Sequence, residues 1–177
     1  MKKTTFLMIC LLLTVYFSCS SSSSDDAIIN DSQAFNLIGN WVPESYSIEG
    51  TITVLENDEP TITELQGTGG DLNVDLTFSE NPNNYNWFGG FLFILNRTTD
   101  GETITLNAEF SVNENGSWTL SGNTLRLTNS EETTVISLVK ITDNTYKFIK
   151  NTSINTVDGT SSITTNTVEE FVLSRAN

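Results

Sequence analysis

Residues 103–112 read Thr-Ile-Thr-Leu-Asn-Ala-Glu-Phe-Ser-Val, and residues 71–78 read Asp-Leu-Asn-Val-Asp-Leu-Thr-Phe. In both stretches an apolar side chain follows a polar one at every second position. Successive side chains of a β-strand point to opposite faces of the sheet, so each stretch predicts a strand with one buried and one solvent-facing side. The two stretches therefore predict an antiparallel β-protein.

Similar segments lie on both sides of these two stretches. Trp118–Leu120 and Leu125–Leu127 flank Gly122-Asn123, a pair that supplies the positive φ of a tight hairpin turn. Asp143-Asn144 and Asp158-Gly159 are further candidates for turns. Other strands are expected near 41–55, 61–66, 86–95, 133–141, 145–156 and 161–173. Nine or ten antiparallel strands at such short spacing form either a sandwich or an up-and-down barrel.

Closure into a barrel removes the exposed edges of a sheet, so the barrel is the preferred prediction. Gly89-Gly90 lie inside the apolar run Tyr85–Leu95, where glycine permits the sharp bend of a barrel corner. This run is buried on both faces as core, or it lines the cup and mouth of the barrel. The sequence leaves both interpretations open.

The composition excludes several classes of function. The 177 residues include 22 acidic and 8 basic side chains and no His, which gives a formal net charge of −14. Nucleic-acid binding draws its affinity from clustered Lys and Arg, so we expect no nucleic-acid partner. Without His, Ser-His-Asp triads and HExxH zinc sites are excluded. We therefore expect no enzyme activity, no metal and no cofactor.

Three acidic groupings are candidates for a binding or catalytic site. Asp71–Asp75 has the D-x-N-x-D spacing that opens a calcium loop, but Leu76 replaces the required Gly and Pro82 replaces the bidentate Glu. Glu131-Glu132 and Glu169-Glu170 are adjacent carboxylates, and on a strand each pair points at most one group inward. The preferred interpretation of all three groupings is a solubilising surface.

The N-terminus has the pattern of a targeting segment. Two lysines, Lys2 and Lys3, precede the apolar run Phe6–Phe17, which is shorter than the roughly 20 residues needed to span a bilayer. The run ends at Ser18-Cys19 and a polar stretch follows. This arrangement resembles a bacterial lipoprotein signal, which implies a signal peptide over residues 1–18 and an acylated Cys19.

The cysteine count favours acylation over the alternative, ordinary secretory cleavage at Ser18-Cys19-Ser20. Cys10 lies inside the apolar run and is removed with it, so the mature chain keeps only Cys19. A lone Cys forms no internal disulfide, whereas acyl chains on it anchor a protein to a membrane. We expect a lipid-anchored outer-membrane protein that faces the periplasm or the cell surface.

Residues 19–34 combine the expected acylated Cys with a flexible tether rich in Ser and Asp. Asp25-Asp26 resembles the acidic export address of surface-exposed lipoproteins of the Bacteroidota. The alternative is a soluble spacer without an address. The folded domain is expected over residues 35–177.

The start of that domain carries a family resemblance. Phe35–Val42 predicts a short helical turn that enters the first strand through Gly39-x-Trp41. Together with the later Gly116-Ser117-Trp118 and the expected lipoprotein signal peptide, this Gly39-x-Trp41 opening resembles that of the lipocalin-like lipoproteins of the Bacteroidota. The resemblance implies an up-and-down barrel of about eight to ten strands. It also implies that Gly39, Trp41 and Arg175 close one end of the barrel, with Arg175 packed over Trp41.

The resemblance further implies a cup that binds or sequesters a small hydrophobic ligand. The inward residues expected to line it are Leu72, Val74, Leu76, Phe78, Phe91, Phe93, Leu106, Phe110 and Trp118. The same residues would also fill a packed core. The alternative function is therefore a structural or interaction lipoprotein with a filled barrel and another envelope protein as its partner.

Overall fold

The structure is a computed structural model that describes residues 35–176. The expected signal peptide, Cys19 and the tether lie outside these residues. The described part forms one barrel of eight antiparallel strands, in which each strand pairs with its neighbours in sequence and the last pairs with the first. None of its secondary-structure elements is a helix of the length and apolarity needed to cross a membrane.

The prediction of an all-β, up-and-down antiparallel barrel is confirmed. The strands are β1 (Gly39–Glu56), β2 (Glu59–Ser79), β3 (Asn84–Thr99), β4 (Glu102–Ser121), β5 (Thr124–Thr128), β6 (Thr133–Thr142), β7 (Thr145–Asp158) and β8 (Ser161–Arg175).

The strand number is eight because two pairs of expected strands are continuous. Residues 61–66 and 71–78 both belong to β2, where Asp71 has a φ of 49° and the register with β3 shifts between Gly70 and Asn73. The glycine-rich stretch is thus followed by a bulge at Asp71-Leu72 and does not form a turn. Residues 103–112 and 118–120 both belong to β4, which pairs with β3 without interruption up to Ser117.

Three of the expected local features can be compared directly. Gly122-Asn123 and Asp143-Asn144 form turns as predicted, whereas the third turn lies one residue later than expected, at Gly159-Thr160. Gly89 has a φ of 130°, and a Cβ on it would lie 2.1 Å from the carbonyl oxygen of Asn73. Glycine is therefore required where β3 passes the bulge of β2.

One end of the barrel, the closed end, is filled by side chains. Trp41 is fully buried at its centre and stacks on Tyr146 with a ring-centroid distance of 4.8 Å. The buried residues of this closed-end core are Leu37, Trp41, Leu76, Phe78, Tyr85, Leu125, Leu127, Ile136, Leu138, Tyr146, Phe148 and Leu173. This half of the interior is a packed core.

The three residues expected to close the barrel meet at this end. The guanidinium carbon of Arg175 lies 4.6 Å from the ring centroid of Trp41. Gly39 has a φ of 127°, and a Cβ on it would lie 2.6 Å from Nη1 of Arg175. Glycine thus leaves the space through which Arg175 reaches across the end of the barrel.

The short helical turn expected before β1 is absent, because residues 35–38 form an irregular segment. Side chains donate hydrogen bonds to the backbone carbonyl groups that would accept hydrogen bonds within a helix. Trp41 Nε1 donates a hydrogen bond to the Leu37 carbonyl at 2.7 Å, and Arg175 donates to the carbonyls of Asn36 and Ile38. Burial of the Trp41 ring therefore determines the conformation of the entering chain.

The wall of the barrel is uneven because β5 and β6 are short. β5 pairs with β4 only over Ser117–Ser121, and β6 pairs with β7 no further than Ile149. Within residues 35–176, the edge of β4 over Glu102–Gly116 and the edge of β7 over Lys150–Asp158 have no strand beside them on this side. We call this gap above the β5–β6 hairpin the open side.

Candidate functional site

A cavity of about 360 Å³ lies between the closed-end core and the open side. Its floor is the upper surface of the closed-end core, formed by Leu76, Leu127, Ile136, Phe148 and Leu173. Its volume falls within the range of roughly 300–1,000 Å³ that is typical of small-molecule sites. The interior is therefore filled at one end and hollow above it.

Aromatic rings form the walls of the cavity. Tyr46 on β1 packs against Phe171 on β8 and Phe91 on β3, with ring-centroid distances of 4.4 and 5.1 Å. Trp87 meets Phe171 edge-on at 5.4 Å, and Phe91 lies 5.2 Å from Phe110. Because these rings contact one another, the shape of the cavity is set by packing between three different parts of the sheet.

Phe110 forms the side of the cavity next to the gap. It lines the cavity, yet 54% of its surface is exposed. Within residues 35–176, β4, the strand that carries it, has no neighbour at this height on the open side. The Phe110 ring therefore lies at the boundary between the cavity and the open side.

We call the opening of the cavity toward the open side the mouth. Four charged side chains surround it: Glu114 on β4, Glu132 at the tip of the β5–β6 hairpin, Lys150 on β7 and Glu169 on β8. Lys150 Nζ lies 3.7 Å from Glu169 Oε1 in an ion pair. Among the described residues, neither Glu114 nor Glu132 forms an ion pair with a basic side chain. The mouth thus combines apolar walls with an excess of negative charge.

Glu169 is held from two sides. The Tyr46 hydroxyl donates a hydrogen bond to Glu169 Oε2 at 3.4 Å, and Lys150 pairs with the other oxygen. Burial of Tyr46 raises the pKa of its phenol, and the charge of Glu169 and the hydrogen bond to it raise the pKa further. The tyrosine therefore stays neutral and supports Glu169 at the border between the apolar wall and the mouth.

Glu114 and Glu132 both act on the phenol of Tyr85. The pKa of Tyr85 is raised first by burial, then by the charge of Glu114, and also by that of Glu132, while a hydrogen bond with Asn129 opposes the increase. Two carboxylates from different elements, the strand β4 and the hairpin tip, thus act on the same phenol, and both line the cavity.

Four of the nine residues expected to line a cup lie in the wall or floor of this cavity. Leu76, Phe91, Phe93 and Phe110 line the cavity. Leu72 and Val74 instead pack around the bulge of β2, and Phe78 and Trp118 pack in the closed end. Leu106 faces inward beyond the cavity, where 44% of its surface is exposed. Alternation identified the inward face of a strand but not the height of each residue in the barrel.

The lining residues that were missed come mainly from β1 and β5–β8. Tyr46, Trp87, Lys150, Glu169 and Phe171 are the most informative of them. A signal was present, since Tyr146, Phe148 and Lys150 alternate along β7 and Glu169, Phe171 and Leu173 along β8. Extending the alternation to charged positions would have placed Lys150 and Glu169 on the inner face.

The adjacent glutamates have separate positions. Glu169 points into the mouth, while Glu170 points outward and pairs with Lys147 at 2.8 Å. Glu132 lines the mouth as well, so one member of each adjacent pair lines the cavity and the other does not. Within residues 35–176 there is no group of three or more acidic, His or Cys side chains placed to hold a metal ion.

Another depression, of about 470 Å³, lies on the outside of the barrel beside Gly50. Its walls are mostly outward-facing polar side chains, among them Glu49, Thr51, Glu64 and Gln66. Water solvates such a surface well, so the depression offers little gain in free energy for an apolar ligand. The inner cavity is therefore the candidate site.

Comparison with known proteins adds no family to this description. The chain matches no known protein family, no curated protein and no solved structure.

Proposed function

We propose that this protein is a membrane-anchored envelope lipoprotein with a lipocalin-like barrel that binds or sequesters a small hydrophobic ligand. The observation that carries the proposal is the cavity of about 360 Å³ with aromatic walls. Transfer of an apolar molecule from water to such walls lowers the free energy by about 25 cal/mol for each Å² of apolar surface removed from water. The open side offers it a route of entry.

The proposed anchor is a set of acyl chains on Cys19 in the outer membrane, with the barrel facing the periplasm or the cell surface. The support is the sequence alone: a short apolar run, then Cys19, then a polar tether. Two or more acyl chains suffice for stable anchoring without a basic patch. A strongly acidic domain would be repelled by anionic headgroups, so the lipid provides the attachment.

Native mass spectrometry tests the binding function directly. Protein purified gently from its source membrane should carry an additional mass that lipid extraction removes and identifies. Delipidated protein should then increase the fluorescence of N-phenyl-1-naphthylamine, a neutral apolar probe. A clean mass of the acylated protein together with no response of the probe would contradict the proposal.

A pair of matched variants tests whether the probe binds in the cavity. Val112→Phe adds a ring inside the cavity, because Val112 lines it, and should weaken probe binding by about tenfold or more. Val135→Phe makes the same change on the outer face of β6, where 44% of Val135 is exposed, and should leave binding unchanged. Equal binding by both variants would place the probe elsewhere.

The alternative function, interaction with another envelope protein, has one observation in its favour. Val135, Val139 and Ile141 form an apolar row on the outer face of β6, with exposed fractions between 44% and 52%. Exposed apolar rows of this kind occur at protein interfaces. Val139→Glu should then abolish crosslinking of the protein in intact envelopes while probe binding persists; unchanged crosslinking would exclude this surface.

A further inference from the structure

We propose that the cavity selects amphiphiles with a cationic head, such as long-chain amines, over those with an anionic head. This inference rests on the proposed function and names its ligand class. It depends on where the charged groups lie: three carboxylates and one ammonium group surround the mouth, while the cavity below them is apolar.

Lys150, the single cationic side chain at the mouth, already forms an ion pair within the protein. Lys150 lies 3.7 Å from Glu169, so a ligand carboxylate would have to compete with Glu169 for it. Tyr46 donates its hydroxyl to the other oxygen of Glu169 and helps to hold that carboxylate in place. An anionic head therefore finds no free cationic partner among the described residues that line the cavity.

The two remaining carboxylates are available to a ligand. Glu114 and Glu132 have no ion-pair partner in residues 35–176, and Glu132 accepts only a 3.4 Å hydrogen bond from the Thr134 hydroxyl. Both lie close enough to Tyr85 to raise the pKa of its phenol. A cation that enters between them gains attraction from two negative charges beside a low-dielectric wall.

The position of these carboxylates fits an amphiphile in one orientation. Glu114 pairs with Trp87 in the register of β4 and β3, and Trp87 forms part of the aromatic wall. Glu132 lies at the tip of the β5–β6 hairpin, at the lower border of the open side. An apolar tail can therefore lie against the rings above the closed-end core while the head stays at the opening.

Displacement of N-phenyl-1-naphthylamine by decylamine, decanol and decanoate at pH 7 tests the inference. The three compounds share a tail and differ in the charge of the head. Decylamine should displace the probe at a concentration about three- to tenfold lower than decanol, and decanoate should be the weakest competitor. Added salt should narrow these differences, because it screens charges at an exposed mouth.

The double variant Glu114→Gln with Glu132→Gln should remove most of the preference for the amine and leave decanol binding unchanged. Both side chains are exposed, so their amides should not disturb the fold. Glu109→Gln is the matched control, because Glu109 lies on β4 next to Phe110 but faces outward. This control should retain the full preference.

The outcomes separate the inference from the function on which it rests. Equal displacement by the three compounds, a preference for decanoate, or an unchanged preference in the double variant would overturn the charge inference and leave a hydrophobic cavity. If none of the three compounds displaced the bound probe, the charge inference would be wrong, whereas the proposed function fails by its own test, a clean mass together with no response of the probe.

Discussion

Arg175 shows how a single side chain determines the closed end of this barrel. Its guanidinium covers the Trp41 ring at 4.6 Å and donates hydrogen bonds to the carbonyls of Asn36 and Ile38. One residue from the last strand thus holds the chain that enters the first. Gly39 has no side chain that would obstruct this contact.

Arg175→Ala should lower the free energy of unfolding by about 1–3 kcal/mol. The loss combines a cation–π contact of about 0.5–2 kcal/mol with hydrogen bonds from a charged donor. Denaturant unfolding of the purified domain measures it. The control is Arg126→Ala, since Arg126 is exposed on β5. A loss of equal size in both variants would contradict the closing role of Arg175.

Tyr46 leads to a prediction about alkaline pH. Its folded-state pKa is raised above the usual value of 10.0, first by burial and then by Glu169. The stability linked to this raised pKa is fully present below pH 10. It is lost as the pH rises further, because the unfolded chain then releases a proton that the native chain retains.

We therefore expect Tyr46→Phe to reduce the loss of stability between pH 8 and about pH 11. At pH 8 the variant should unfold close to wild type, because it loses only a hydrogen bond of 3.4 Å. Unfolding curves at the two pH values give the comparison. An identical loss in wild type and variant would show that Tyr46 does not retain its proton in the native state.

At the scale of elements, the β4–β5 hairpin joins the wall of the barrel to the short strands below the open side. A Cβ on Gly116 would lie 2.1 Å from the Thr128 carbonyl oxygen and 2.9 Å from Cε1 of Tyr85. The absence of a side chain therefore lets β5 and Tyr85 approach β4 closely, directly below Glu114.

Gly116→Ala should consequently destabilise the domain by about 1–3 kcal/mol, the usual cost of overpacking. It should also weaken probe binding, since the displaced strand β5 carries Leu127, which forms part of the cavity floor. Gly70→Ala is the control, because a Cβ there would meet only the Leu92 carbonyl oxygen, at 3.9 Å. Thermal unfolding of the two variants under the same conditions measures the difference. Equal midpoints would contradict the close approach of β5 and Tyr85 to Gly116.

At the scale of the whole molecule, the barrel is divided into a filled half and a hollow half. Twelve buried residues fill the closed end, and the cavity begins on their upper surface. The division follows from strand length, because β5 has 5 residues whereas β2 has 21. Short strands beside long ones leave the inner face of the upper half uncovered on one side.

The proposed anchor also concerns the whole molecule. Cys19→Ala should move the full-length protein from the membrane fraction to the soluble fraction, because no other lipid attachment is proposed. Cys10→Ala leaves Cys19 in place and should remain in the membrane fraction. Fractionation of cells that express each variant measures the distribution. Retention of the Cys19 variant on the membrane would contradict acylation as the mechanism.

The sequence predicted the fold well, and four of the residues that line the cavity were among those expected to face inward. Alternation in residues 71–78 and 103–112 identified β2, β4 and their inward faces, and Gly39, Trp41 and Arg175 were expected to meet. The strands were overcounted because Gly69-Gly70 has the composition of a turn, whereas the chain continues as one strand with a bulge at Asp71-Leu72. Cross-strand pairing over long distances decides between the two, and local composition does not report it.

By itself, the sequence determined which side chains face inward in the regularly alternating stretches 71–78 and 103–112, because an uninterrupted strand has a period of two. It also determined the acidic surface and the absence of His chemistry. Only the tertiary structure decided which inward residues are core and which line a cavity, since both sets are equally apolar. That division depends on the height of each residue in the register and on where β5 and β6 end.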